Sequence, residues 1–195
     1  MDRFDGEFDE VVAAARAGAP WALERIFTAL SPVVAGYLRL QGAHEPEDLT
    51  SEVFLAVLRR IGSFRGDEAG FRSWVFTIAH RRLVDERRRL ARRPAVAPLT
   101  DGVDVPAPVD VTEDALRSLS DQRVRELCER LLPDQRDVLL LRLLGHLTVE
   151  EVAAAIGRSP GAVKALQRRG FRAIARILER EGAPLPAPRT ITTRS

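Results

Sequence analysis

Apolar residues recur along most of this chain three and four positions apart, the spacing that gathers them on one face of a helix. Pro20-Trp21 opens one such run, with Trp21, Leu23, Ile26, Phe27 and Leu30. Proline suits a first helical position because the N–H it lacks has no partner there. Pro32 sits near the start of the next run, Val33, Val34, Tyr37, Leu38 and Leu40, which Gly42 ends. A third opens at Glu45-Pro46-Glu47-Asp48, acidic where the helix dipole favours acid, and carries Leu49, Val53, Phe54, Val57, Leu58 and Ile61 as far as Gly62. A short polar loop, Ser63 to Gly70, separates it from a fourth run of Phe71, Trp74, Val75, Ile78, Ala79 and Leu83, which continues into residues 80–93. Ahead of these, residues 1–17 read as an acidic leader with Phe4, Phe8, Val11 and Val12 that runs into a first helix.

The periodicity then stops. Pro94, Pro98, Pro106 and Pro108, with Asp101, Asp104 and Asp110 between them, make residues 94–112 an acidic, semi-extended linker. It is long enough to let two domains sit apart on an elongated partner. A new helix is expected near Thr112-Glu113, through Leu116, Leu119, Val124, Leu127 and Leu131. Pro133 opens another, with Val138, Leu139, Leu141 and Leu143, ending at Gly145. Residues 182–195 read as a disordered tail. No segment alternates convincingly as a strand, so the expected fold is all-α: two small helical domains, 18–93 and 113–181, joined by a Pro-rich linker.

The second domain carries the plainest motif, TVEEVAAAIGRSPGAVKALQRRGFRAIAR from Thr148 to Arg176. Thr148 and Glu151 have the spacing of a capping box, so a helix starts there. Val152, Ala153 and Ile156 share one face, and Gly157 can take the left-handed backbone of a tight turn. Ser159 is a second N-cap with Pro160 behind it, and Val163 and Leu166 give the next helix an apolar stripe toward the first. Two short helices around a glycine turn make a helix-turn-helix.

Charge sharpens that picture. The 195 residues have 30 Lys+Arg against 28 Asp+Glu, a net +2, so the basic residues matter by placement rather than number. From Arg158 to Arg180, six Arg and Lys164 face only Glu179, a local +6. A basic helix is often only a solvated face, but here turn architecture and charge placement coincide, as in duplex DNA binding. A second patch lies in residues 80–93, where seven Arg outnumber Asp85 and Glu86 for a local +5 beside Phe64, Phe71 and Trp74. Phe71 and Trp74 are expected to pack in the core, while Phe64, in the loop, could equally be a stacking surface; loop, aromatics and cations together suit single-stranded nucleic acid. The first 30 residues are net −3, which suggests that a different surface meets a different partner.

One Cys, Cys128, excludes an internal disulfide and is expected to be a small core residue. The acidic N-terminus has no signal-peptide pattern, and no apolar run approaches the ~18 residues of a membrane span, so a cytoplasmic protein without membrane contact is expected.

Three stretches resemble the extracytoplasmic-function (ECF) sigma factors of the bacterial sigma-70 family: PEDLTSEVFLAVLRRIGSFRG, FRSWVFTIAHRRLVDERRR and LPDQRDVLLLRLLGHLTVEEVAAAIGRSPGAVKALQRR. The resemblance covers roughly residues 18–93 and 114–180. It implies that Asp48, Leu49, Ser51, Glu52 and Phe54 dock on core RNA polymerase, and that Asp48 and Glu52 meet a basic surface. It implies that Phe64, Arg65, Arg81, Arg82, Asp85 and Arg88 open the promoter's minus-ten element and hold its unpaired strand. It implies that Ser159, Lys164, Ala165, Arg168, Arg169 and Arg172 meet the minus-thirty-five element as duplex. Lys164, Ala165 and Arg168 would read bases, and Arg169 and Arg172 would hold phosphates. The family often has Asn where this chain has Arg81, and Arg-Leu where it has Leu166-Gln167. The implied function is a sigma factor that directs transcription initiation, with an anti-sigma factor as a further partner. The alternative is a helix-turn-helix regulator that binds duplex DNA without docking on polymerase.

Catalysis is not expected. The sequence contains neither a phosphate-binding G-x-x-x-x-G-K-S/T loop nor H-E-x-x-H, and His44, His80 and His146 lack metal-ligand spacing. Asp67-Glu68 is a loop acid pair of the kind usually solvated. No metal or cofactor is called for.

Overall fold

The computed structural model describes residue 4, residues 6–92 and residues 122–182; the expected linker, the tail from residue 183 and the helix start near Thr112 lie outside the described residues. The described residues are helical with no strand. The first domain consists of α1 (Phe8–Arg16), α2 (Pro20–Leu40), α3 (Pro46–Arg60), a 3-10 turn at Ile61–Ser63, and α4 (Glu68–Arg92). The second consists of a helical stretch at 122–129 (α5), α6 (Pro133–Leu143), α7 (Val149–Ile156) and α8 (Pro160–Arg180).

The fold corrects three expectations. Residues 20–40 form one helix, with Pro32 inside it. Proline there forgoes one backbone hydrogen bond, but Pro32 is exposed, where water can meet the released carbonyl, and Ile26, Leu30, Val34 and Leu38 anchor both halves in the core. The acidic leader is part of the first domain: Phe4, Phe8, Val11, Val12 and Ala15 are all buried. Phe8 meets Phe71 edge-on at 5.7 Å, and Phe4 meets Phe8 at 5.6 Å. Acid in the first turn of α1 had masked an apolar face beneath it. Trp21 and Phe27, read as stripe residues, are only half covered, 52% and 45% exposed, although Phe27 still packs on Phe54.

The domains do not sit apart. Helix α4 packs on α7, and the buried apolar residues of both halves form one continuous cluster. Gly145 lies where a Cβ would come within 3.0 Å of the Phe76 ring. Arg87 of α4 reaches Asp137 of α6 at 3.5 Å and donates to the Gln41 carbonyl at 2.8 Å.

Candidate nucleic-acid interface

The helix-turn-helix forms as its residues dictate. Thr148 Oγ1 accepts from the Glu151 N–H at 3.1 Å, and Glu151 Oε2 accepts from the Thr148 N–H at 2.6 Å, closing the capping box. Gly157 ends α7 at φ 66°, ψ 38°, and the Arg158 N–H returns to the Ala153 carbonyl at 3.0 Å. Ser159 Oγ accepts from the Ala162 N–H at 3.2 Å to cap α8. Val152, Ala153, Val163 and Leu166 are buried between the helices. Lys164, Arg168, Arg169, Arg172 and Arg176 are therefore left on the outer, exposed side of α8, with Ala165 half-buried among them. Leu166, one of the two departures from the family pattern, points inward. A groove of about 450 Å³ between α6 and α8 is lined by Gln135, Arg169, Arg172, Ala175, Arg176 and Glu179. Arg158 pairs with Asp134 at 2.8 Å, and Glu181 at the far end of α8 pairs with Arg123 and Arg130.

The second basic patch lies beside a groove of about 490 Å³. The loop and α4 supply Ser63, Phe64, Arg65, Gly70, Ser73, Trp74, Thr77 and Arg81. Its other wall is α7, through Glu151, Ala154 and Ala155. Trp74, Thr77 and Arg81 follow one another at i+3 and i+7, so the side of α4 that faces the groove was legible as a stripe. Ser73, Thr77 and the α7 wall are lining residues that the sequence reading did not name; the wall follows from a tertiary contact with no sequence signal.

Of the residues assigned to the unpaired strand, Arg65, Arg81, Asp85 and Arg88 are exposed and Arg82 is half-buried. Phe64 is not an exposed stacking face: only 6% of it is accessible. Its ring packs against Phe71 at 5.0 Å and Trp74 at 5.3 Å, and Gly66, at φ 144°, lies over it. Phe71 is buried as expected, while Trp74 is half-buried with an edge in the groove. Arg88 spends part of its charge on Asp85 at 3.8 Å.

The proposed docking helix α3 separates its residues by direction. Asp48 and Ser51 are exposed and Glu52 is half-buried, but Leu49 and Phe54 are buried, Phe54 against Phe27 at 4.9 Å. These two support the helix rather than present a surface. Leu55, not singled out from the sequence, is 52% exposed on that helix. Glu52 lies 3.9 Å from Arg89, and His44, Glu45, Asp48, Glu52, Arg89 and Leu90 are among the residues around a small cleft between α3 and α4.

A buried polar network in the first domain reaches the second through Arg87, which donates to Gln41 and lies 3.5 Å from Asp137. Tyr37 Oη and His80 Nδ1 are 3.0 Å apart, and Gln41 Nε2 donates to Tyr37 Oη at 3.5 Å. Burial, reinforced by the nearby Asp137 carboxylate, raises the Tyr37 phenol well above its usual range. Burial lowers His80, with the Arg87 and Arg81 charges acting the same way against the opposing pull of Asp137. The single cysteine, Cys128, is buried as expected. Among the described residues no group of three or more His, Cys, Asp or Glu is placed to hold a metal ion, and no helix is long and apolar enough to cross a membrane.

The sequence patterns of sigma-70 region 2 and sigma-70 region 4 match residues 26–93 and 121–174. The chain is 37% identical over 172 residues to the ECF RNA polymerase sigma factor BldN of Streptomyces coelicolor, covering 87% of this chain and 65% of that protein. It is 32% identical over 169 residues to the ECF RNA polymerase sigma factor SigD of Mycobacterium tuberculosis, covering 84% of this chain and 80% of that one. Among solved structures, CnrH in complex with the cytosolic domain of CnrY shares the fold, with a TM-score of 0.61 at 22% identity over 88% of this chain and 96% of that chain. Both region matches, with relatives at 32% and 37% identity, lead to one assignment: the chain belongs to the sigma-70 family, among its ECF RNA polymerase sigma factors.

Proposed function

We propose that this protein is the promoter-specificity subunit of a bacterial RNA polymerase, binding core enzyme through α3 and promoter DNA through two separate faces, without chemistry of its own. The observation that carries the reading is the pairing of a helix-turn-helix with a second groove, where Trp74 lies beside Arg65 and Arg81. A duplex-binding regulator has no use for that groove, whereas an unpaired strand needs both an aromatic surface and cations that follow its phosphates. Asp48 and Glu52 on α3, with Leu55 beside them, offer a basic partner an acidic face around an apolar contact. An anti-sigma protein that covers these same faces is the partner we infer for the uncommitted subunit.

This function requires the domains to part. Elements centred 25 base pairs apart are separated by about 85 Å of duplex at ~3.4 Å per pair. A compact chain of this length has a radius of gyration near 16 Å, so one closed body cannot occupy both. The closed arrangement is then the resting form; polymerase and promoter together must separate α4 from α7, which takes away the α7 wall of the groove and leaves its loop-and-α4 side, with Arg65, Trp74 and Arg81, open to the strand.

Run-off transcription tests the reading. Purified protein added to sigma-free core polymerase should start transcripts at discrete promoters on genomic DNA. Failure to bind core, combined with ordinary duplex binding, would replace this reading with that of a helix-turn-helix regulator.

A further inference from the structure

The carbonyl of Phe64 accepts two hydrogen bonds at once. Arg65 Nη1, from the next residue, donates to it at 2.7 Å and also to the Gly62 carbonyl at 2.8 Å. Arg16 Nη2, from the last turn of α1, donates to it at 2.7 Å across 48 residues of sequence. Arg65 lines the groove, yet here its guanidinium is folded back on its own loop. Releasing it would carry the cost of a partly buried carbonyl left without a partner, were Arg65 the sole donor. Arg16 removes that cost, because the carbonyl keeps one bond when Arg65 leaves. Helix α1 is held for this task by Phe8 and its contact with Phe71, and it also packs against the 3-10 turn that precedes Phe64.

We propose that Arg16 is a positioning residue for the groove: it holds the Phe64 carbonyl so that Arg65 can swing out to an unpaired DNA strand. The proposal rests on the reading that this groove takes that strand. Arg16 acts through Arg65 and need not touch DNA itself.

The test is a double-mutant cycle in reconstituted holoenzyme. The probe is a fluorescent single-stranded oligonucleotide with the non-template sequence of a promoter that the holoenzyme transcribes. Arg16→Ala should weaken binding about tenfold, the scale of one charge-assisted hydrogen bond, with duplex binding upstream and melting temperature unchanged, since Arg16 is exposed and its truncation opens no cavity. In an Arg65→Ala background the same change should cost nothing. Arg16→Lys, which can still donate to the carbonyl, should recover most of the affinity.

Additive losses would mean that Arg16 meets the strand by itself and would overturn the proposal, as would undiminished binding by Arg16→Ala. A lowered melting temperature that accounts for the loss would reduce Arg16 to a structural contact, also against it. Should Arg65→Ala and Arg81→Ala both bind the oligonucleotide as wild type does, the groove reading fails and this inference fails with it; a loss in those two variants alone removes only the role of Arg16.

Discussion

Gly145→Ala tests the account of how the domains close. A Cβ at this position would fall 2.5 Å from Leu147 Cδ1, 2.7 Å from the Leu141 carbonyl oxygen and 3.0 Å from Phe76 Cγ. Leu147 is fully buried, so its side chain can yield only by displacing core neighbours. The Leu141 oxygen is backbone, and it accepts from the Leu147 N–H at 3.3 Å, so it cannot withdraw without breaking the turn into the helix-turn-helix. Phe76 belongs to the other domain and is held edge-on to Tyr37 at 5.4 Å. Overpacking of this kind costs about 1–3 kcal/mol. Alanine's lower freedom in the unfolded chain returns about 0.4–1 kcal/mol. The net expectation is a loss of about 1–2 kcal/mol, which at this chain length lowers the melting temperature by about 2–8 °C. Thermal unfolding followed by circular dichroism measures it. Gly36→Ala is the control: it is interior to α2, its Cβ would meet nothing within 4 Å, and it should stabilise by about 0.5–1 kcal/mol. If Gly145→Ala were as stable as wild type, the packing of Leu147 and Phe76 around that backbone would be wrong.

Three further outcomes are expected. Thr148→Ala removes the capping-box acceptor and should cost about 1 kcal/mol in urea unfolding, with Thr148→Ser restoring most of it. His80 is held below the ordinary histidine value of 6.5, so between that value and its folded pKa the unfolded chain takes up a proton that the folded one refuses. Stability should therefore fall as pH drops below about 6.5, and fall less steeply in His80→Gln, as urea midpoints across pH 7.5 to 5.5 would reveal. Arg168→Ala should weaken the preference for the cognate upstream element by about 1–3 kcal/mol if Arg168 reads a base, whereas a phosphate contact would lower all affinities alike and flatten their salt dependence.

Much of the molecule was legible without coordinates because local rules decide it. Thr148, Glu151, Gly157, Ser159 and Pro160 act within a few residues of themselves, so caps and turn followed from their order. The outward charge of α8 followed too, once Val163 and Leu166 were placed inward by the helical period. Direction on α3 was only half legible: periodicity puts Leu49 and Phe54 on the buried face, whereas the family resemblance groups them with Asp48 as docking residues. What the sequence could not decide depends on which element lies against which. Phe64 is buried because Phe71 and Trp74 come up beneath it, and the acidic leader is core because Phe8 finds Phe71. Arg16 reaches Phe64 across 48 residues, and Arg87 reaches Asp137 between domains. Such contacts depend on chain path and packing, which act over distances that a window of neighbouring residues does not contain.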